Sequence, residues 1–277
     1  MTASAQGTAD SKCPPTWPLV AVDVGNSRIK FGLFERAGED SQGLPVPSRT
    51  LDLVPQDGKL NELIAWLKPW DAAAVGWWIG SVQRTVTSQL VTWLRDRQAT
   101  RISLLAAGDL PLVVSLPRPD MVGIDRLLSA VGTNRLRSPN TPAVVVDLGT
   151  AITVDLVGSQ GDFMGGAILP GIGTSARALH EFTDLLPLLD MQALAEPPPP
   201  LGVATIEALR SGLYWGAVGG VRELITRLGQ QAKATPQIFL TGGAAPAVAG
   251  LLSQDAIYVP YLTLAGIALT AETSAGC

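Results

Sequence analysis

Two short acidic turns carry the residues of this sequence that are best suited to bind phosphate. Asp23 ends an apolar run and opens the turn Gly25-Asn26-Ser27, and Lys30 follows three residues later. Amides in such a turn, with Asn and Ser side chains, can donate hydrogen bonds to phosphate oxygens. A carboxylate suits Mg²⁺, often through water, and a lysine adds a compact positive charge. We therefore predict a phosphate site at residues 23–27, the first acidic turn.

A second acidic turn occupies residues 147–151. In both turns an apolar run ends at an aspartate, a glycine stands two residues later, and a small hydroxyl or amide residue follows it. Their separation is about the size of a small domain. The repeat predicts a duplicated α/β domain whose two turns face each other across a cleft and hold one polyphosphate. A chance pair of hairpins with polar tips, binding nothing, is the alternative.

The segments around these turns must form strands and helices that hold them in place. Residues on both sides of the first acidic turn alternate with period two, as paired strands do. A further strand is predicted over residues 110–116, and another over residues 237–241, which ends at Thr241-Gly242-Gly243. Helices are predicted from Gly123 and from about Ser175.

Asp125 is the best general-base candidate. It opens the helix that starts at Gly123, lies between the two acidic turns in sequence, and precedes Arg126. The helix N-terminus and the neighbouring cation both favour its charged form. Arg126 could bind a substrate carboxylate in a bidentate manner. The alternative is that Asp125 is only a helix N-cap and Arg126 a solvated residue.

The composition excludes several classes of protein. The chain has 277 residues, is 47% hydrophobic and carries a net charge of −4, which favours a folded protein that does not bind nucleic acid. Cys13 and Cys277 give neither a disulfide framework nor a zinc site. The lone His180 leaves no Ser-His-Asp arrangement. No apolar run is long enough to span a membrane, and residues 1–18 are predicted to be a disordered leader, so we expect a cytoplasmic protein.

The paired turns resemble those of the actin-like ATPase superfamily, and four ordered motifs resemble more closely the type III pantothenate kinases. These motifs are Asp23-Val24-Gly25-Asn26-Ser27, Gly123-Ile124-Asp125-Arg126, Asp147-Leu148-Gly149-Thr150-Ala151 and Gly165-Gly166-Ala167-Ile168-Leu169-Pro170-Gly171. The resemblance implies an α/β protein with the duplicated actin-like (ribonuclease H-like) ATPase fold, in which a cleft separates two similar domains. We place the N-terminal domain at residues 19–138 and the C-terminal domain at residues 139–277.

The resemblance also implies an activity: transfer of phosphate from ATP to the terminal hydroxyl of pantothenate, which opens coenzyme A synthesis. Asp125 would accept the proton, and Asp147 would bind the monovalent cation, K⁺ or NH₄⁺, that the family requires. Mg²⁺ would accompany ATP, with Asp23 as a possible ligand through water. The family forms homodimers. The implied ATP contacts are Asp23, Val24, Gly25, Asn26, Ser27, Arg28, Ile29, Lys30 and Thr150, and the implied pantothenate contacts are Gly123, Ile124, Asp125, Arg126 and Thr205.

The sequence departs from the family pattern at two positions. Ser27 stands where threonine is usual, which keeps the hydroxyl, and Leu116 stands where tyrosine is common, which changes the lining of the pantothenate pocket. Two other functions stay open at this point. One is a kinase for a different small hydroxy acid or sugar, and the other is a non-catalytic regulator that binds nucleotide or a transcription complex.

Overall fold

The computed structural model describes residues 17–35, 43–55, 59–190 and 196–274. Most of the leader predicted for residues 1–18, and both cysteines, lie outside the described residues. None of the described helices is long and apolar enough to cross a membrane. The strands are β1 Leu19–Val24, β2 Ile29–Phe34, β3 Arg49–Leu53, β4 Gly76–Ser81, β5 Ile102–Leu104, β6 Ala143–Leu148, β7 Ala151–Val157, β8 Phe163–Pro170, β9 Gln237–Thr241 and β10 Ile257–Tyr258. The helices are α1 Glu62–Leu67, α2 Arg84–Arg95, α3 Ile124–Leu136, α4 Ile172–Glu181, α5 Thr205–Ala232, α6 Ala245–Leu252 and α7 Leu262–Thr273.

Two five-stranded sheets in the described part of the chain share one topology. The first has the order β3-β2-β1-β4-β5, and the second, taken in the same direction, has the order β8-β7-β6-β9-β10. In each sheet the central strand pairs antiparallel with the strand that follows it in sequence and parallel with the fourth strand. The predicted duplication of an α/β unit is therefore confirmed, and the fold is the duplicated actin-like one.

The central strand β1 is a continuous apolar run because helices cover both of its faces. Val20 and Val22 pack with residues of α1 and α2, among them Leu63 and Leu90. Leu19 and the rest of the opposite face pack with α3 and α7. Each fully buried Val or Leu contributes about 1.5–3 kcal/mol, so this strand is rigidly held. A rigid strand end fixes the position of the first acidic turn.

Helices α3 and α7 pack against each other and share one apolar cluster with both sheets. A Cβ on Gly266 of α7 would collide with the backbone of Leu128 in α3, so the two helices approach closely there. Since α7 also contacts β1 and β4, the last helix of the chain packs on the first sheet. The domain bounds at 19–138 and 139–277 stay a prediction.

Two predicted elements differ from the structure. Residues 110–116 do not form a regular strand. Pro111 lacks a backbone donor there, and only Val114 makes an isolated bridge, to Phe163. Helix α4 begins at Ile172, three residues before the predicted start. The Ser175 amide already donates to the Gly171 carbonyl at 2.8 Å, so residues 172–174 belong to the helix, with Gly171 as its N-cap.

Candidate active site

The two acidic turns face each other across one cleft of about 770 Å³. The Thr150 hydroxyl of the second turn donates a hydrogen bond to Ser27 Oγ of the first at 2.8 Å. Each turn is closed by its own glycine amide, with Gly25 N donating to the Arg28 carbonyl and Gly149 N to the Ala151 carbonyl, both at 3.0 Å. The duplicated sheets thus bring two matching turns together, and we call the space between them the central cleft.

The two aspartates that open the turns occupy equivalent places in the two sheets. Asp23 lies opposite Lys30 in the β1–β2 pairing, and Asp147 lies opposite Thr153 in the β6–β7 pairing. Gly242, at φ +93°, follows β9 beside Asp147, and a Cβ there would collide with Asp147 Oδ1. Glycine at this position therefore leaves room for the carboxylate.

Both carboxylates are held in an unfavourable environment when the cleft contains only protein. Burial raises the pKa of Asp23 to about 7, because the opposing charge of Lys30 is outweighed by burial and by the neighbouring Asp125 and Asp147. Burial likewise raises the pKa of Asp147, again against Lys30. A bound cation would stabilise the charged forms of both carboxylates. Carboxylate and hydroxyl oxygens, which line the cleft, are the ligands that Mg²⁺ and other hard cations prefer.

The pKa of Asp23 predicts a stability change in the ligand-free protein. A carboxyl group whose pKa rises from 3.8 unfolded to about 7 folded binds more protons in the folded state. Stability is therefore lost as the pH rises from about 4 to 7. Asp23→Asn removes this loss, and we expect a melting temperature at pH 8 at least about 2 °C above that of the wild type, the shift that roughly 1 kcal/mol gives. At pH 5 the difference should be much smaller.

Differential scanning calorimetry of both proteins without nucleotide at the two pH values measures this effect. Asp255→Asn is the matched control, because Asp255 is exposed and is not among the residues that line the cleft. A melting temperature for Asp23→Asn that is unchanged or lower at pH 8 would contradict the prediction.

Asp125 lies on the same cleft as both acidic turns. Gly123 is the N-cap of α3, so Asp125 is not the N-cap that the alternative interpretation required. Its Oδ1 accepts a hydrogen bond from the Arg126 amide at 2.9 Å. The half-buried Asp125 therefore has its side chain on the cleft together with the two turns.

Arg126 is not solvated. Its guanidinium forms an ion pair with Asp155 of β7, and its side chain is only 14% exposed. Burial raises the pKa of Asp155, and the hydrogen bonds and charge of Arg126 oppose that shift. Arg126 thus faces a carboxylate of the protein itself, which the sequence analysis did not foresee.

The structure brings most of the predicted site residues to the cleft, and it places others elsewhere. Those lining the cleft are Asp23, Gly25, Asn26, Ser27, Arg28, Lys30, Asp125, Asp147 and Thr150. The side chains of Val24 and Ile29 are buried in the core below the first turn, so only their backbone could meet a nucleotide. Gly123, Ile124 and Arg126 are not among the residues that line the cleft; they are next to it in the chain, on either side of Asp125. Thr205 lines a separate apolar groove with Leu179 and Leu186.

Several cleft residues were missed by the sequence analysis. They include Asp52, Thr153, Thr174, Arg177 and Ala244. Asp52 of β3 lies opposite Lys30 of β2, and β3 was not predicted from the sequence. Thr174 donates to the Thr150 carbonyl at 2.6 Å, which ties the start of α4 to the second turn. Ala244 directly follows Gly242-Gly243, the turn that ends the strand predicted at residues 237–241.

Comparisons with known proteins agree with this geometry. The family model described as "Type III pantothenate kinase" matches residues 19–227. A type III pantothenate kinase of Gluconobacter oxydans is 38% identical over 270 residues, covering 93% of this chain and 94% of that protein. One of Akkermansia muciniphila is 33% identical over 252 residues, covering 90% and 96%. In fold, the chain is similar to the activator of the 2-hydroxyisocaproyl-CoA dehydratase from Clostridium difficile, with a TM-score of 0.52 and 12% identity over 94% and 96% of the chains.

Proposed function

The chain belongs to the type III pantothenate kinase family, and from this premise we propose that it transfers the γ-phosphate of ATP to the terminal hydroxyl of pantothenate. The product would be 4'-phosphopantothenate, and the step would open coenzyme A biosynthesis. One observation carries the proposal: the two acidic turns and Asp125 lie on a single cleft of about 770 Å³. That volume suits a ligand of nucleotide size together with a small acceptor.

The phosphate end of ATP would lie between the two acidic turns. Backbone amides and the side chains of Asn26, Ser27 and Thr150 offer donors to its oxygens, and Lys30 adds positive charge. Phosphoryl transfer asks the protein mainly to position the reactants and stabilise charge. Two turns that contact one triphosphate from both sides would supply that positioning.

Asp125 would act as the proton acceptor. The pantothenate hydroxyl oxygen attacks the γ-phosphorus in line, the bond from that phosphorus to the β,γ-bridging oxygen breaks, and ADP leaves. The hydroxyl proton passes to the Asp125 carboxylate. Residues 123–126, at the start of α3, would bind the acceptor beside this carboxylate.

Two cations fit the acidic side chains of the cleft. We assign a water-mediated Mg²⁺ contact to Asp23 and the monovalent cation, K⁺ or NH₄⁺, to Asp147. The raised pKa values of these half-buried carboxylates support this assignment, because a cation stabilises their charged forms. When bound, such cations neutralise charge on the transferring phosphate. Asp23 and Asp147 would hold them near the turns.

We also propose that the protein is a homodimer whose contact includes Phe182, Leu185, Leu201 and Val203, the 182–203 apolar surface. These side chains are 77–86% exposed. The segment after α4 and the start of α5 meet at a groove lined by Leu186 and Thr205, and the four residues lie close to these two in sequence. Large exposed apolar patches usually mark protein contacts. Thr205, at the end of this surface, could then reach the pantothenate site of a second copy of the chain.

Replacing this surface tests the dimer. Phe182→Asp/Leu185→Asp should convert the protein from twice the chain mass of 28.9 kDa to the monomer mass, because two carboxylates would be desolvated in the contact. The KM for pantothenate should rise with it if Thr205 acts from the second copy. Size-exclusion chromatography with light scattering reports the mass.

Leu104→Asp provides the control, since Leu104 is 55% exposed on the first sheet and should leave the mass unchanged. A Phe182→Asp/Leu185→Asp protein that keeps the wild-type mass would show that the contact lies elsewhere.

The proposed activity is tested by incubating the wild-type protein with ATP, Mg²⁺ and pantothenate, with and without K⁺, and measuring phosphopantothenate by mass spectrometry. We expect one product molecule for each ATP consumed and a strong requirement for K⁺. Phosphorylation of another hydroxy acid or sugar in preference to pantothenate would identify a different kinase. DNA binding without ATP consumption would identify a regulator.

We also propose that the protein is cytoplasmic, because the proposed step belongs to a cytosolic cofactor pathway.

A further inference from the structure

The most sheltered ion pair in the described structure joins the helix that carries Asp125 to the second sheet. Arg126 Nε lies 3.1 Å from both Oδ1 and Oδ2 of Asp155, and Nη2 also donates to Oδ1. The Asp155 side chain is only 3% exposed. Arginine–carboxylate pairs with several parallel hydrogen bonds are stronger and more directional than single contacts. This pair therefore fixes both side chains.

Neighbouring residues are shaped around this pair. Asp155 lies opposite Gly166 in the β7–β8 pairing, and a Cβ on Gly166 would collide with Asp155 Oδ1. The Arg126 guanidinium carbon lies 5.5 Å from the centre of the Phe163 ring, also on β8. A side chain at the second glycine of the Gly165-Gly166 motif would therefore collide with the β7 backbone, at the Val154 carbonyl oxygen, as well as with the Asp155 carboxylate.

The pair links two parts of the cleft that must keep a fixed distance. Asp155 and Thr153 lie on the same face of β7, the strand that leaves the second acidic turn, and Thr153 lines the cleft. Arg126 adjoins Asp125 in the first turn of α3. A shift of about 1 Å in a reacting group can lower a rate by roughly 100-fold, so a rigid link at this point affects catalysis.

We propose that Asp155 is a positioning residue for phosphate transfer: it holds the Arg126 guanidinium and thereby keeps the first turn of α3, with Asp125, at a fixed place relative to the second acidic turn. This inference rests on the proposed function. It also defines what Arg126 offers to a substrate. The Nε–Nη2 edge is occupied by Asp155, whereas Nη1 has no hydrogen-bond partner among the described residues.

A double-mutant cycle tests the inference. Asp155→Asn keeps the shape of the side chain and removes the charge, and we expect kcat/KM for pantothenate to fall about 10- to 100-fold. The KM for ATP should stay within about twofold, because the acidic turns are untouched. Arg126→Gln/Asp155→Asn should be no less active than Arg126→Gln alone, since without the guanidinium Asp155 has nothing to position.

The same variants distinguish a loss of folding stability from a loss of positioning. Removing one member of a buried ion pair leaves an uncompensated charge and is destabilising, so Asp155→Asn could fold poorly. The double variant carries neither charge, and its comparison with Arg126→Gln still decides the question. Glu223→Gln is the matched control, because Glu223 also pairs with an arginine, Arg227, but on the exposed face of α5.

Three results would overturn the inference in a wild-type protein that phosphorylates pantothenate. These are wild-type pantothenate kinetics in folded Asp155→Asn, equal losses for ATP and pantothenate binding, and a double variant whose loss is the product of the two single losses. A wild-type protein that does not phosphorylate pantothenate would contradict the proposed function itself, so the two failures are distinguishable.

Discussion

Asp125→Asn is expected to lower kcat by about 10²- to 10⁴-fold, the usual contribution of a general base. Asparagine keeps the size of the side chain, and its carbonyl oxygen can still accept the Arg126 amide hydrogen bond, which measures 2.9 Å in the wild type. What it cannot do is take the hydroxyl proton. The KM for ATP should therefore change little, and the melting temperature should stay close to that of the wild type.

Steady-state kinetics with pantothenate and ATP varied separately measures this loss. Asp120→Asn is the matched control: Asp120 lies five residues earlier, pairs with Arg118 and is exposed, so its replacement should not alter kcat. Turnover by Asp125→Asn equal to that of the wild type would show that another group accepts the proton, and the role given to Asp125 would be wrong.

The second large effect is expected at Asp147. Asp147→Asn should lower kcat by about 10²- to 10³-fold, as removal of a group that stabilises transition-state charge commonly does, and the remaining activity should no longer respond to K⁺. The reason is electrostatic. Asp147 opens the second acidic turn, and burial raises its pKa against the opposing charge of Lys30, so a cation bound beside it would stabilise its charged form.

A titration with KCl at constant ionic strength, balanced with choline chloride, separates binding of K⁺ from general salt effects. The wild type should show saturable activation, and Asp147→Asn should give a flat response. Asp71→Asn, at an exposed position outside the cleft, should behave as the wild type. Saturable activation of Asp147→Asn with the wild-type midpoint would place the cation at another site.

The sequence predicted the parts of the fold that depend on local pattern. The repeated apolar run ending in Asp-x-Gly identified β1, β2, β6 and β7, and with them the duplication. Strands β3, β5 and β10 were missed because they are edge strands of two to five residues, and they lack the continuous apolar run that identified the five-residue β9. The start of α4 was missed because Gly173 weakens the helical pattern, whereas the hydrogen bond of Thr174 to the second turn stabilises it.

The site residues, too, could be predicted only where their pattern is local in the sequence. The four ordered motifs identified Asp23, Asp125, Asp147 and Thr150 as candidates, because each motif keeps its chemistry within a few residues. The partner of Arg126 lies 29 residues away on another element, so no local pattern could reveal it. Asp52 entered the cleft only through a strand pairing that the sequence does not show.

A crystal structure with a non-hydrolysable ATP analogue, Mg²⁺ and pantothenate tests the central claim most directly. Two acidic turns should contact one triphosphate from opposite sides, and the pantothenate hydroxyl should lie about 2.6–3.2 Å from an Asp125 carboxylate oxygen. A triphosphate that contacts only one turn, or a hydroxyl beyond the reach of Asp125, would contradict the account.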